Sequence, residues 1–231
     1  LHEGSVPEVT KPARAGIIPR DRGATTGERR STQATRPMPT IRRLALAAVA
    51  TAIAAAPARA QLPTYRDLPK FTVTSRDIRD GHVIPEKHVY RGFGCNGGNL
   101  SPQLAWKGAP ANTKSFAVFV FDPDAPTASG WWHWVAYNIP AATTSLPQGA
   151  GDPAKALLPA GTVQGRTDFG SVGYGGPCPP ATDRPHAYYF VVVALSVPKL
   201  DLPANATAAM VSFNVRANAL AVGQVLARYS R

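Results

Sequence analysis

"SFAVFVFDPDAPTASGWWHWVAYNI" occupies residues 115–139. Its first eight residues, "SFAVFVFD" (115–122), are apolar on both parities, which predicts a strand buried on both faces. The apolar run stops at Asp-Pro-Asp-Ala-Pro. "HWVAYNI" (133–139), rich in aromatic and β-branched residues, predicts the next strand. A plain turn between two strands needs Gly, Asn or Asp. It does not need Trp131, Trp132 and Trp134 around His133. The stretch therefore argues for a β protein and marks a candidate site.

Outward from it, strand signals dominate. "HAYYFVVVAL" (186–195) is another continuous β-type run, and "KFTVTS" (70–75) and "QLAWKG" (103–108) are shorter ones. Long loops rich in Pro, Gly, Asn and Asp separate them, at 92–102, 122–132, 140–153 and 165–185; loops of that length in a compact domain are commonly functional or disordered. One segment, 205–230, predicts a helix. Met210, Phe213, Val215, Leu220, Val222, Val225 and Leu226 form an imperfect apolar face, with a break expected near 213–216, where Asn214 lies among β-branched residues. No repeat and no second domain is apparent.

The chain has 231 residues and a net charge of +11. Such a charge suggests nucleic acid until it is located. Residues 1–60 hold ten Lys/Arg against four Asp/Glu, and residues 61–231 hold fifteen against ten, so more than half the excess lies in the first quarter. Residues 1–37 lack apolar periodicity and read as disordered, or as upstream sequence mis-called before a start at Met38. In 38–60, Arg42 and Arg43 precede an Ala-rich apolar run (Leu44–Ala56) and an Ala58-Arg59-Ala60 cleavage signal, the pattern of a secretory signal peptide. The run is too short for an ordinary membrane span. The expectation is an exported, periplasmic or secreted domain over 61–231, with no stable membrane insertion. Its two cysteines, Cys95 and Cys178, invite a disulfide in an oxidising compartment; two buried free thiols are the alternative.

Asp122 sits where one strand ends, with Asp124 two residues on, and His133 and His186 each open a strand after a rigid loop. Strand ends meeting at one sheet edge bring Asp122, His133 and His186 together. Gly175 and Gly176 are expected to leave backbone N–H groups accessible, and imidazoles with backbone donors make an anion site. The carboxylate fits if it orients an imidazole or is itself protonated. Each residue alone has a plainer role: Asp122 as a turn cap, each histidine as a satisfied core residue, the tryptophans as core. The joint pattern favours a site.

"FDPDAP" (121–126), "WWHWVAYNIP" (131–140), "PQG" (147–149), "TDFGSVGYGGPCPP" (167–180) and "PHAYYF" (185–190) together resemble the phosphatidylethanolamine-binding protein family, in its bacterial and archaeal Raf-kinase-inhibitor-like branch. "FGCNGGNLSPQLAWKGAPANTKSFAV" (93–118) and "AAMVSFNV" (208–215) fit that branch, and the resemblance covers about residues 70–230. It implies a mainly β fold of two largely antiparallel sheets with a C-terminal helix. It also implies a small pocket for phosphate-bearing or carboxylate anions, carried over to Asp122, Asp124, Trp131, His133, Gly176, His186 and Tyr188. Cys95 and Cys178 stand where exported members often carry cysteines. Two positions depart from the family: Ala187 replaces the usual Arg of His-Arg-Tyr, and Thr182 stands where a Gly is usual.

The resulting expectation is a non-enzymatic binding protein without cofactor. Its partner is a small anionic or phosphate-bearing ligand, with room for a protein partner or a homodimer. No nucleophile stands beside a base in a recognised motif. Two alternatives remain open: a metal- or His/Asp-dependent hydrolase using Asp122, His133 and His186, and a carbohydrate-binding β-sandwich with an exposed Trp platform. No nucleic-acid module is present.

Overall fold

A computed structural model describes residues 63–231. The disordered or upstream segment (1–37) and the signal peptide (38–60) expected from sequence lie outside the described residues.

The strands are β1 (Thr72–Thr74), β2 (Arg91–Gly92), β3 (Cys95–Asn96), β4 (Leu104–Lys107), β5 (Ser115–Asp122), β6 (Trp131–Pro140), β7 (Ser145–Leu146), β8 (Val163–Gln164) and β9 (His186–Leu195). Helix α1 (Ala208–Ala217) and β10 (Ala219–Tyr229) follow. Five strands form an antiparallel sheet in the order β10-β9-β5-β6-β8, and three form a second sheet, β1-β4-β7. β2 and β3 make a short hairpin.

The central strands explain their own sequence. Phe116, Val118 and Val120 face one core with Val73, Leu104, Trp106 and Phe190, between the sheets. Ala117 and Phe119 face the other core with Val191, Val193, Val211 and Val215, beneath α1. A strand covered on both faces has no polar parity, which is why β5 and β9 read as continuous apolar runs. Thr207 caps α1, its hydroxyl accepting from Met210 N at 3.3 Å.

The long helix expected over 205–230 is corrected: α1 stops at Ala217 and the rest is β10. Ala219 to Tyr229 zip along the edge of β9, ending with Tyr229 opposite His186. The open backbone edge of β9 pairs the N–H and C=O groups of this segment as well as a helix would, and lets its apolar side chains pack on both cores. Gly223 also disfavours helix. It lies where the approach to β1 crosses β10: Phe71 N donates to Val222 O at 3.1 Å, and a Cβ on Gly223 would fall 2.4 Å from Val73 Cγ2. Among the described residues, no helix is long and apolar enough to cross a membrane.

Candidate functional site

Register places the site. In the antiparallel sheet Asp122 at the end of β5 faces Trp131 at the start of β6, and Phe121 faces Tyr189, three residues into β9. Three strand ends thus meet at one sheet edge. They bound a cavity of about 180 Å³ whose inner wall includes Asp122, Trp131, His133, His186 and Tyr188. Its mouth is apolar, with Phe93, Phe169, Pro126, Pro179 and Cys178.

Asp122 is buried and accepts three hydrogen bonds, one short of what two carboxylate oxygens can take. Its Oδ1 receives the amides of Asp124 (2.8 Å) and Ala125 (3.2 Å), and its Oδ2 receives His186 Nδ1 at 2.8 Å. The intervening Pro123 fixes φ and so holds the Asx-type turn that aims this carboxylate. His186 Nε2 meets Asp183 Oδ2 at 3.2 Å. Both ring nitrogens therefore face carboxylates.

His133 is not bonded to Asp122. Its Nδ1–H donates to the carbonyl of Gly175 at 2.8 Å. That bond fixes the tautomer and leaves the lone pair on Nε2. Burial holds His133 below its ordinary pKa; the Gly175 carbonyl and the Asp122 charge oppose this without reversing it. The Tyr188 ring packs edge-on against it, centroids 5.2 Å apart. The Tyr188 hydroxyl is fully buried and has no hydrogen-bond partner. Burial first, and then the Asp122 charge, push it above the usual phenol range, but no bond of acceptable geometry closes between them.

The remaining expected residues behave differently. Asp124 lies outside the wall: its Oδ1 accepts from Arg184 Nη2 at 2.9 Å and its Oδ2 from Ala187 N at 2.8 Å, so it latches the loop to the start of β9. Gly176 also lies outside, and the open donors expected of the Gly175-Gly176 pair are corrected. Gly175 N donates to His133 O at 2.9 Å and Gly176 N to Asn99 Oδ1 at 2.8 Å. Gly176 is small for packing: a Cβ there would fall 2.1 Å from His88 O. The tryptophans divide. Trp131 lines the cavity, Trp134 is fully buried, and Trp132 packs on Phe119 and Phe121 in the other core, so they form no flat platform.

Sequence reasoning missed Phe169, Asp183 and Arg184. Phe169 contacts Tyr90, Phe93, Trp131 and His133 and lay unremarked inside a quoted motif. The clue to the other two was a charged pair just before His186. Arg184, on the loop before β9, pairs with Asp124 outside the cavity wall, so it does not replace the arginine missing at 187 within the cavity. Cys95 and Cys178 form a disulfide, Cα atoms 6.1 Å apart, that ties the β2–β3 hairpin to the cavity mouth. Arg231 reinforces the same wall, donating to Pro179 O at 2.8 Å and Phe93 O at 3.1 Å. Among the described residues no three His, Cys, Asp or Glu side chains are grouped to hold a metal ion.

The sequence profile described as phosphatidylethanolamine-binding protein matches residues 74–230. The UPF0098 protein YbcL of Escherichia coli (strain K12) is 51% identical over 159 residues, 69% of this chain and 87% of that one. The UPF0098 protein YbhB of the same strain is 50% identical over 156 residues, 68% of this chain and 98% of that one. The crystal structure of E. coli YbcL, described as a new member of the mammalian PEBP family, is similar with a TM-score of 0.69 and 50% identity over 70% of this chain and 99% of that one. A phosphatidylethanolamine-binding protein homologue from Chlamydia trachomatis gives a TM-score of 0.58 at 29% identity over 70% of this chain and 98% of that one.

Proposed function

The chain belongs to the phosphatidylethanolamine-binding protein family, and from that membership we propose that it is a non-enzymatic binding protein whose cavity holds a small phosphate-type anion such as phosphorylethanolamine. One observation carries the reading. Tyr188 lines the cavity, and its hydroxyl is buried without a partner. A donor left so costs roughly 1–3 kcal/mol unless a ligand or water accepts from it. The apolar mouth excludes water and strengthens each polar contact inside. The groups best suited to attack a substrate are engaged: Cys178 in its disulfide, and Thr127 Oγ1 in a bond to Gly130 O.

Calorimetric titration with phosphorylethanolamine and with inorganic phosphate tests this. Tyr188→Phe and His133→Ala are each expected to weaken binding by roughly 1.5–3 kcal/mol, the range for a hydrogen bond to a charged group. Unchanged binding in both variants, with native circular dichroism, would place the ligand elsewhere.

Export is part of the same proposal, because a disulfide suits an oxidising compartment. N-terminal sequencing of secreted protein is expected to begin at Gln61. A start before Met38 would sink both the signal-peptide and the start-site readings.

A further inference from the structure

The cavity's polar groups are an odd set for a bare anion. Among the described residues no Lys or Arg lines it, and Pro126, Pro179 and Pro180, which do, have no N–H to offer. Asp122 brings a carboxylate. His133, its Nδ1–H committed to Gly175 O, brings a lone pair on Nε2. Against these two acceptors the wall offers few donors: the Tyr188 hydroxyl, buried without a partner, and the Trp131 indole N–H. A fully ionised oxyanion would satisfy Tyr188 and meet two acceptors with nothing to give them. An oxyanion that keeps one proton satisfies both kinds of partner: an ionised oxygen accepts from Tyr188, and its P–OH donates to His133 Nε2 or to Asp122.

We propose that the cavity selects oxyanions that still carry a proton, namely inorganic phosphate and phosphomonoesters, over sulfate and phosphodiesters. The proposal rests on the anion-binding reading above and narrows it. It also gives the carboxylate a purpose: beside a bound anion Asp122 repels every ligand that cannot donate. A site built to receive a hydrogen bond discriminates strongly against the analogue that lacks the donor, because its own buried acceptor is left unpaired. The groups acting on His133 are Asp122 and Asp168, the Gly175 and Gly176 backbone, and the packed Tyr188 and Phe169 rings. Burial, the largest influence, favours the neutral ring that keeps the lone pair.

The test is a set of calorimetric titrations of the unmodified, disulfide-bonded protein at about pH 6, where a phosphomonoester holds its second proton about half the time. The probes are inorganic phosphate, methyl phosphate, dimethyl phosphate and sodium sulfate. The first two are expected to bind at least about tenfold more tightly than the last two, the scale set by one unpaired buried acceptor. Free phosphate and a headgroup-type diester are separated by the same series, since only the diester lacks the proton. Equal binding by all four, or tighter binding of sulfate, would overturn the selectivity and leave the anion site standing. Binding by none would remove the site and the selectivity together. His133→Gln places an amide N–H₂ where Nε2 holds its lone pair, so the ratio of phosphate to sulfate affinity is expected to fall. Tyr188→Phe is expected to weaken both ligands by a similar factor and leave that ratio unchanged. A ratio unmoved by His133→Gln in a folded variant would also overturn the proposal.

Discussion

His186 is wedged between two carboxylates and is almost wholly buried. It is a structural strut as well as part of the cavity wall. His186→Ala removes a donor from buried Asp122, which keeps only its two backbone amides. The expected loss is roughly 1–3 kcal/mol of stability, read as a lower urea midpoint. Acid acts on a different pair. His88 and His133 are both held below the ordinary value of 6.5, in each case chiefly by burial. A histidine with a lowered folded pKa binds protons more readily when unfolded, so stability falls as pH drops through about 6.5 and is flat above it. Thermal midpoints between about pH 5 and 8 check this, and His88→Asn should flatten the slope. Sequence alone brought Asp122, His133 and His186 to one sheet edge, because each is the first or last polar residue of an apolar run. It could not tell which partner each ring nitrogen would find. His133 turns to Gly175 O, a backbone atom 42 positions away whose place depends on the folded loop.

At the scale of elements, β5 and β9 were legible to the residue, since burial on both faces leaves an uninterrupted apolar run with polar ends. The segment 205–230 was not. Its apolar residues suit either period, and the deciding fact, a free edge on β9, is tertiary. Gly223 was the available warning. Gly223→Ala is expected to cost roughly 1–3 kcal/mol, the range for overpacking, because its Cβ would press on Val73 Cγ2 and on Phe71 O. A urea midpoint unchanged from the parent would show that the approach to β1 yields freely. Loops hid the short strands β7 and β8, whose two residues each carry no period to read.

For the whole molecule the decisive covalent link is Cys95–Cys178, spanning 83 residues of chain. In the chain-entropy description its loss destabilises by roughly 3–5 kcal/mol. Unfolding with and without a dithiol reductant should show that difference, and the unreduced native protein should yield no alkylatable thiol. Sequence reached the pairing through an even cysteine count and the expectation of export. It did not reach the consequence that Cys178 belongs to the cavity mouth, because a wall is a property of several loops at once.

Two carboxylates two residues apart answer to different media. The Arg184 side chain that holds Asp124 is 81% exposed and Asp124 itself 21%, whereas His186 and Asp122 are 2% and 3%. Near 1 M salt the Debye length shrinks to about 3 Å, which screens the outer pair and barely touches the inner one. Ionic strength is therefore a dial that loosens the latch between the Asp-Pro-Asp loop and β9 while the floor of the cavity stays set. A binding measurement repeated across salt concentrations would separate what the loop contributes from what the floor contributes, without changing a residue.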